Sequence, residues 1–181
     1  RLQQSPGQLW VLPGGTAELR CLVSHHSWYV NWYKEKPDGS LSWIYQSSDY
    51  SAPLGKYSGR MERQERQQHF SLTICPTQRV DSGLYYCSSS DFFPSFGNGT
   101  KLIVTNATEP QLSILVPVDA EEPGQYPAGI PLLCRLHDLP SGWDTVRWQP
   151  GGEEMPVMAA AIDEHGVLSA WSVVWVLAEQ W

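Results

Sequence analysis

The chain has 181 residues, 41% hydrophobic and 17% charged, the balance of a globular chain and not of a disordered one. Its formal net charge of −7 speaks against nucleic acid or an anionic membrane surface as partner, because both need clustered Lys and Arg. The length suits two domains of ordinary size, and the nine tryptophans point to large aromatic area in cores or interfaces.

In chain order, short alternating runs are separated by Pro, Gly, Ser and Asp, with no sustained helical period. This predicts an all-β fold of antiparallel strands, in a sandwich or barrel. The first half reads as strands over 9–11, 17–23, 30–34, 41–46, 70–74, 84–88 and 101–105. Turn chemistry lies between them at Pro13-Gly14-Gly15, Pro37-Asp38-Gly39 and Asp81-Ser82-Gly83. Residues 106–110 read as a linker, and the rhythm resumes with strands over 112–116, 130–137, 145–149 and 167–177. No charged-then-apolar leader stands at Arg1 and no apolar run reaches the ~18 residues of a spanning helix. The expectation is a soluble extracellular piece, or a chain that never carried an anchor.

Cys21, Cys75, Cys87 and Cys134 are widely spaced, without the paired spacing of a zinc or redox site. Two glycosylation triplets, Asn98-Gly99-Thr100 and Asn106-Ala107-Thr108, fit a secreted or surface protein and an oxidising compartment. Alternation in 70–75 turns Phe70, Leu72 and Ile74 inward and Cys75 outward, leaving either an intermolecular disulfide or a free thiol at Cys75. His25 and His26 are adjacent and face opposite ways on a strand, so they do not chelate one ion. No phosphate loop or nucleophile elbow is present. The reading is therefore a binding protein, with no enzyme activity, cofactor or metal.

The stretch 81–100, DSGLYYCSSSDFFPSFGNGT, organises the chain. It reads as a strand carrying Tyr85 two residues before Cys87, a short loop, then a bulged strand at Phe96-Gly97-Asn98-Gly99. With Cys21, the Trp32-Tyr33-Lys34-Glu35-Lys36-Pro37 run, the Ser40–Tyr45 run and the joining-like Phe96–Val104 string, it resembles an immunoglobulin variable domain over almost all of 1–105. Cys134, Trp148 and Glu179-Gln180-Trp181 are similar to a constant domain. Phe96 stands where antibody heavy chains carry Trp, so the family implied is a T-cell receptor chain or a light chain. The Ile44-Tyr45-Gln46 and FGNGTKLIV strings look most like the alpha/delta side, including an atypical mu-type chain.

That resemblance implies two tandem sandwiches, variable-type over 1–105 and constant-type over 111–181. The second is expected to end before strands F and G, joined to the first by an elbow at 106–110. It implies a Cys21–Cys87 disulfide between the sheets, which contributes roughly 4 kcal/mol for such a loop, and an Arg60–Asp81 salt bridge. The hypervariable positions are 24–29, 46–56 and 88–95, with His25, Trp28, Tyr50, Asp91, Phe92 and Phe93 as candidate antigen contacts. Chain pairing is implied for Tyr33, Glu35, Leu41, Trp43, Tyr86 and Phe96, and for Trp171, Val173 and Trp175 in the second half. Glu35 departs from the glutamine usual there, so its partner must offer Lys, Arg or Gln. Asn106 is the better glycan acceptor, because a glycan on Asn98 would obstruct pairing through Phe96. The implied partners are a second receptor chain, signalling subunits reached through a membrane segment, and a protein or MHC-like ligand at the plasma membrane. An antibody light chain and a V–C adhesion or inhibitory receptor are the alternatives.

Overall fold

The computed structural model describes residues 2–90, 94–118, 129–149 and 151–180. The chain is all-β apart from short 3-10 turns. One compact unit runs from Arg1 to Asn106, and a second begins at Ala107.

Ten strands build the first unit: β1 (Leu2–Ser5), β2 (Gln8–Val11), β3 (Ala17–Val23), β4 (Tyr29–Glu35), β5 (Leu41–Ser48), β6 (Tyr57–Gln64), β7 (Gln67–Ile74), β8 (Gly83–Ser90), β9 (Pro94–Phe96) and β10 (Thr100–Val104). One sheet has the order β1-β3-β7-β6, the other β2-β10-β8-β4-β5 with β9 beside β8. The N-terminal strand thus changes sheets: β1 pairs antiparallel with β3, and β2 pairs parallel with β10. Alternation explains why the sheets face each other. Ala17, Leu19, Cys21 and Val23 of β3 and Phe70, Leu72 and Ile74 of β7 are fully buried, while Glu18 and Arg20 between them reach solvent.

Cys21 and Cys87 are bonded across the two sheets, 66 residues apart in the chain. Trp32 is wholly buried beside them. Its indole N–H donates to Ser47 Oγ at 2.9 Å, and that hydroxyl donates to the Ser71 carbonyl of the facing sheet at 2.6 Å. The polar tip of the largest core side chain is thereby satisfied, as burial requires.

Asp81 closes the base of the unit, but not as expected from the sequence. Its carboxylate receives Lys56 Nζ and the Gln78 backbone N–H (2.7 Å). Arg60 instead pairs with Glu62 at 2.9 Å, with both side chains exposed. The reason is pleat: Arg60 and Glu62 lie two apart on the outer face of β6. Lys56 precedes that strand, and its carbonyl is held by the Cys75 N–H at 3.0 Å. Strands β1, β6 and β9 also lack the apolar alternation that would announce them. In β6 only Met61 is buried, and the strand exists through its eight paired positions with β7.

In the second unit β11 (Gln111–Leu115), β12 (Ile130–His137), β15 (Met158–Ile162) and β16 (Leu168–Val176) form a sheet of order β11-β12-β16-β15. The strands β13 (Thr145–Arg147) and β14 (Glu154–Pro156) pair as a separate ribbon. Ile130, Cys134, Leu136, Leu168 and Ala170 are buried on one face. Trp148 lies just beyond β13 instead of within a strand, and its indole donates to Ser172 Oγ at 2.9 Å. Ser172 is the register partner of Cys134, so tryptophan and cysteine are neighbours here too. Cys134 is a free thiol, and burial raises its pKa above the ordinary thiol value. Every residue of β11 is exposed.

Candidate recognition loops and pairing face

The β8–β9 hairpin is narrower than the sequence suggests. Strand pairing continues through Ser90 opposite Pro94, so the connection is 91–93 and not 88–95. The candidate contacts Asp91, Phe92 and Phe93 lie outside the described residues. Ser88 and Ser89 are buried strand residues. Likewise β4 begins at Tyr29 and β5 reaches Ser48, which trims the other two connections to 24–28 and 49–56.

Register brings the strand ends that flank these connections together. Tyr29 pairs with Ser48 and Val30 with Ser89, so the start of β4 and the ends of β5 and β8 share one edge of the sandwich. Trp28 and Tyr50 (94% exposed) project there. His26 meets Trp28 edge-on, with ring centroids 4.8 Å apart. His25 is half-buried instead, with its Nε2 at 3.5 Å from Ser89 Oγ, and so supports the loop from below.

Two glutamines brace this region, and neither was singled out from the sequence. Gln68 Oε1 accepts from the Ser27 N–H at 2.6 Å, and its amide donates to the Ser27 carbonyl at 2.9 Å. It occupies the inward row of Phe70, Leu72 and Ile74; a polar residue in an apolar row was the available signal. Gln4, from β1, donates to the Tyr85 carbonyl (2.6 Å) and Thr100 Oγ1 (3.1 Å), and accepts from the Cys87 and Gly99 N–H groups (3.2 Å each). It holds both sides of the bulge.

The bulge is visible in the register. Phe96 and Thr100 are four residues apart, whereas their partners Ser88 and Tyr85 are three apart. A Cβ on Gly97 would meet Gln4 Oε1 at 2.5 Å and Cys87 Sγ at 3.0 Å. Gly99 has φ +93°, and a Cβ there would meet the Tyr86 ring at 2.8 Å. Both glycines are therefore required by close approach and backbone angle. Asn98 between them is exposed. Asn106 is exposed too, and its Oδ1 accepts from Arg79 Nη2 at 2.7 Å.

Strands β4, β5, β8 and β9 together present an aromatic outer face. Leu41 (40% exposed), Trp43 (50%) and Phe96 (49%) stand out from it. Tyr33 is the register partner of both Trp43 and Tyr86, and its ring centroid is 6.0 Å from that of Phe96. Trp43 Nε1 donates to Asn31 Oδ1 at 3.0 Å, which fixes the indole on the sheet. Glu35 lies opposite Leu41 and accepts from the Tyr86 hydroxyl at 3.3 Å. Partial burial and then the Glu35 charge raise the Tyr86 phenol above its ordinary value.

In the second unit the register aligns Leu133 with Val173, Arg135 with Trp171 and Pro131 with Trp175 on the face opposite the buried row. Trp175 is 64% exposed, while Trp171 and Val173 are half-buried. Arg135 Nε is buried without a hydrogen-bond partner. Cys75 is an exposed free thiol next to Thr16, with Thr16 Oγ1 at 3.2 Å from its sulfur. Among the described residues no group of His, Cys, Asp and Glu is placed to hold a metal ion.

Two comparisons with known proteins fall on the first unit. The family profile of the immunoglobulin V-set domain matches residues 4–105. The Ig kappa chain V region K-25 of Oryctolagus cuniculus is 29% identical over 106 residues, covering 57% of this chain and 95% of that protein.

Proposed function

The chain belongs to the immunoglobulin V-set family, and from that premise we propose that it is one chain of a T-cell-receptor-type heterodimer. V-set domains bind; the family is in general not enzymatic. The observation that carries the reading is the aromatic face of β4, β5, β8 and β9. Leu41, Trp43 and Phe96 are each left about half exposed on one surface, and isolated domains avoid apolar patches of this kind. A second V-type domain is the natural cover. The exposed Trp175, on the same face as half-buried Trp171 and Val173, supports a second contact, between constant-type units.

The convergence of 24–28, 49–56 and the β8–β9 strand ends on one edge then gives the assembled pair a recognition end. Trp28 and Tyr50 supply large, stiff contact area there, and the surrounding serines supply adaptable hydrogen bonds. The ligand class is a protein, presented by an MHC-like molecule or bound directly. The site of action is the outer side of the plasma membrane, with signalling subunits engaged through a membrane segment. Asn106 is the glycan acceptor, since Asn98 lies in the bulge beside the pairing residue Phe96.

The resemblance to a kappa V region favours a second reading, an antibody light chain. Isolation from the native source with identification of the co-purifying chain separates the two. A second V–C chain with signalling subunits supports the receptor. An immunoglobulin heavy chain supports the light-chain reading. Recovery as a stable monomer overturns both.

A further inference from the structure

Resting on the pairing reading above, we infer that Glu35 decides what this face accepts: it rejects a second copy of this chain and selects a partner domain that places a lysine or arginine side chain opposite it. The carboxylate lies among residues of the aromatic patch, at the end of β4. Leu41 faces it across β5, Tyr33 lies two residues away on the same side of β4, and the Tyr86 phenol donates to it at 3.3 Å. That phenol is its only hydrogen-bond donor among the described residues.

Among the described residues no cation pairs with it, and the ion pairs join other groups. The neighbouring Lys34 turns to the opposite side of the strand, where its Nζ donates to the Val80 carbonyl at 2.5 Å and lies 5.7 Å from the Tyr85 ring centre. Lys101, across β8 opposite Leu84, makes no ion pair with Glu35 either. Solvent satisfies the carboxylate while the face is open. Closing an apolar surface over it removes that water, and a buried charge without a counter-ion is strongly unfavourable.

Symmetry turns this into a choice between partners. In a two-fold pair the same patch is used on both sides, so residues near its centre approach their own copies. Self-pairing would bring two Glu35 carboxylates into one dry contact. A guanidinium or ammonium from a different chain would instead donate to the free carboxylate oxygen while the Tyr86 hydroxyl keeps donating to the other. Complementary charge of this kind fixes partner identity.

Sedimentation velocity on the whole chain tests this without the natural partner. Four samples are compared: wild type, Glu35→Gln, Glu35→Lys, and an equimolar mixture of wild type with Glu35→Lys. The mixture should associate about tenfold or more tightly than wild type or Glu35→Lys alone. Glu35→Gln should self-associate more tightly than wild type. The near-isosteric Gln variant, with an unchanged thermal melt, guards against misfolding as the cause. Trp43→Asp in each sample reports whether association uses this face. If Trp43→Asp abolishes association but position 35 has no effect on it, the charge rule falls while pairing stands. If no sample associates, or Trp43→Asp changes nothing, the pairing reading itself falls and takes the inference with it.

Discussion

In the first unit Cys21, Trp32, Tyr85 and Cys87 are fully enclosed between two sheets. The second unit sets Cys134 and Trp148 in a similar relation, yet Trp148 is only half-buried and β11 is exposed along its whole length. The same pair of residue types therefore ends in two environments. What differs is cover. In the first unit the Trp32–Ser47–Ser71 chain of hydrogen bonds and the disulfide both cross from sheet to sheet. In the second, the described residues set only the β13–β14 ribbon apart from the single four-stranded sheet. A cysteine and a tryptophan specify a core only where a second layer closes over them.

The largest expected contrast is at the tryptophans. Trp32→Ala should cost about 5 kcal/mol, the upper end for a large aromatic, because the site is closed and Ser47 loses its donor. Trp148→Ala should cost about 2 kcal/mol, since a half-buried ring has less transfer energy to lose. Urea unfolding followed by a probe in each unit measures both. Equal costs would break the comparison.

The disulfide comes next. Cys21→Ala with Cys87→Ala should destabilise the first unit by about 4 kcal/mol, following a closed loop of 66 residues. Cys134→Ala removes a single buried sulfur and should cost about 1 kcal/mol, on the scale of one methyl group. The same unfolding curves, with and without reductant, read this difference. Reductant should shift the first transition and leave the second in place.

The smallest effect is the most specific. Tyr85 donates to the Asp81 carbonyl at 2.5 Å, so Tyr85→Phe should cost about 1 kcal/mol near neutral pH. Burial, and then the Asp81 charge, raise the Tyr85 phenol far above its ordinary value. A raised folded-state value means the contribution is complete below the unfolded tyrosine value near about 10 and declines as pH rises beyond it. Above that point the unfolded chain gives up the proton while the folded chain keeps it. Tyr57 and Tyr86 shift in the same direction, so Tyr85→Phe should flatten the alkaline decline of the first unit without removing it. Thermal melts across alkaline pH check the slope.

Legibility followed side-chain pattern. Strands β3, β7, β12 and β16 carry apolar residues at alternate positions, and the expected ranges 17–23, 70–74, 130–137 and 167–177 lie close to the observed ones. Strands β6, β14 and β15 carry no such pattern; backbone pairing with a neighbour creates them. The Phe96-Gly97-Asn98-Gly99 bulge was readable because two glycines at that spacing signal unusual backbone. The partner of Asp81 was not, since Arg60 and Lys56 are both basic and only the backbone anchoring of Lys56 ahead of β6, through the Cys75 N–H, brings one of them to Asp81.

By itself the sequence determined the all-β class, the presence of a V-set domain and the hairpin at 81–100. Those depend on alternation, on glycine where a Cβ cannot fit, and on cysteine and tryptophan at characteristic spacing. Tertiary structure alone decided that Gln4 and Gln68 brace the hairpin and the 24–28 loop, that Lys56 closes the base, and that Glu35 stands uncompensated among Tyr33, Leu41 and Tyr86. Each of these depends on which side chains from distant strands face one another across a sheet, and that is settled by register and pleat.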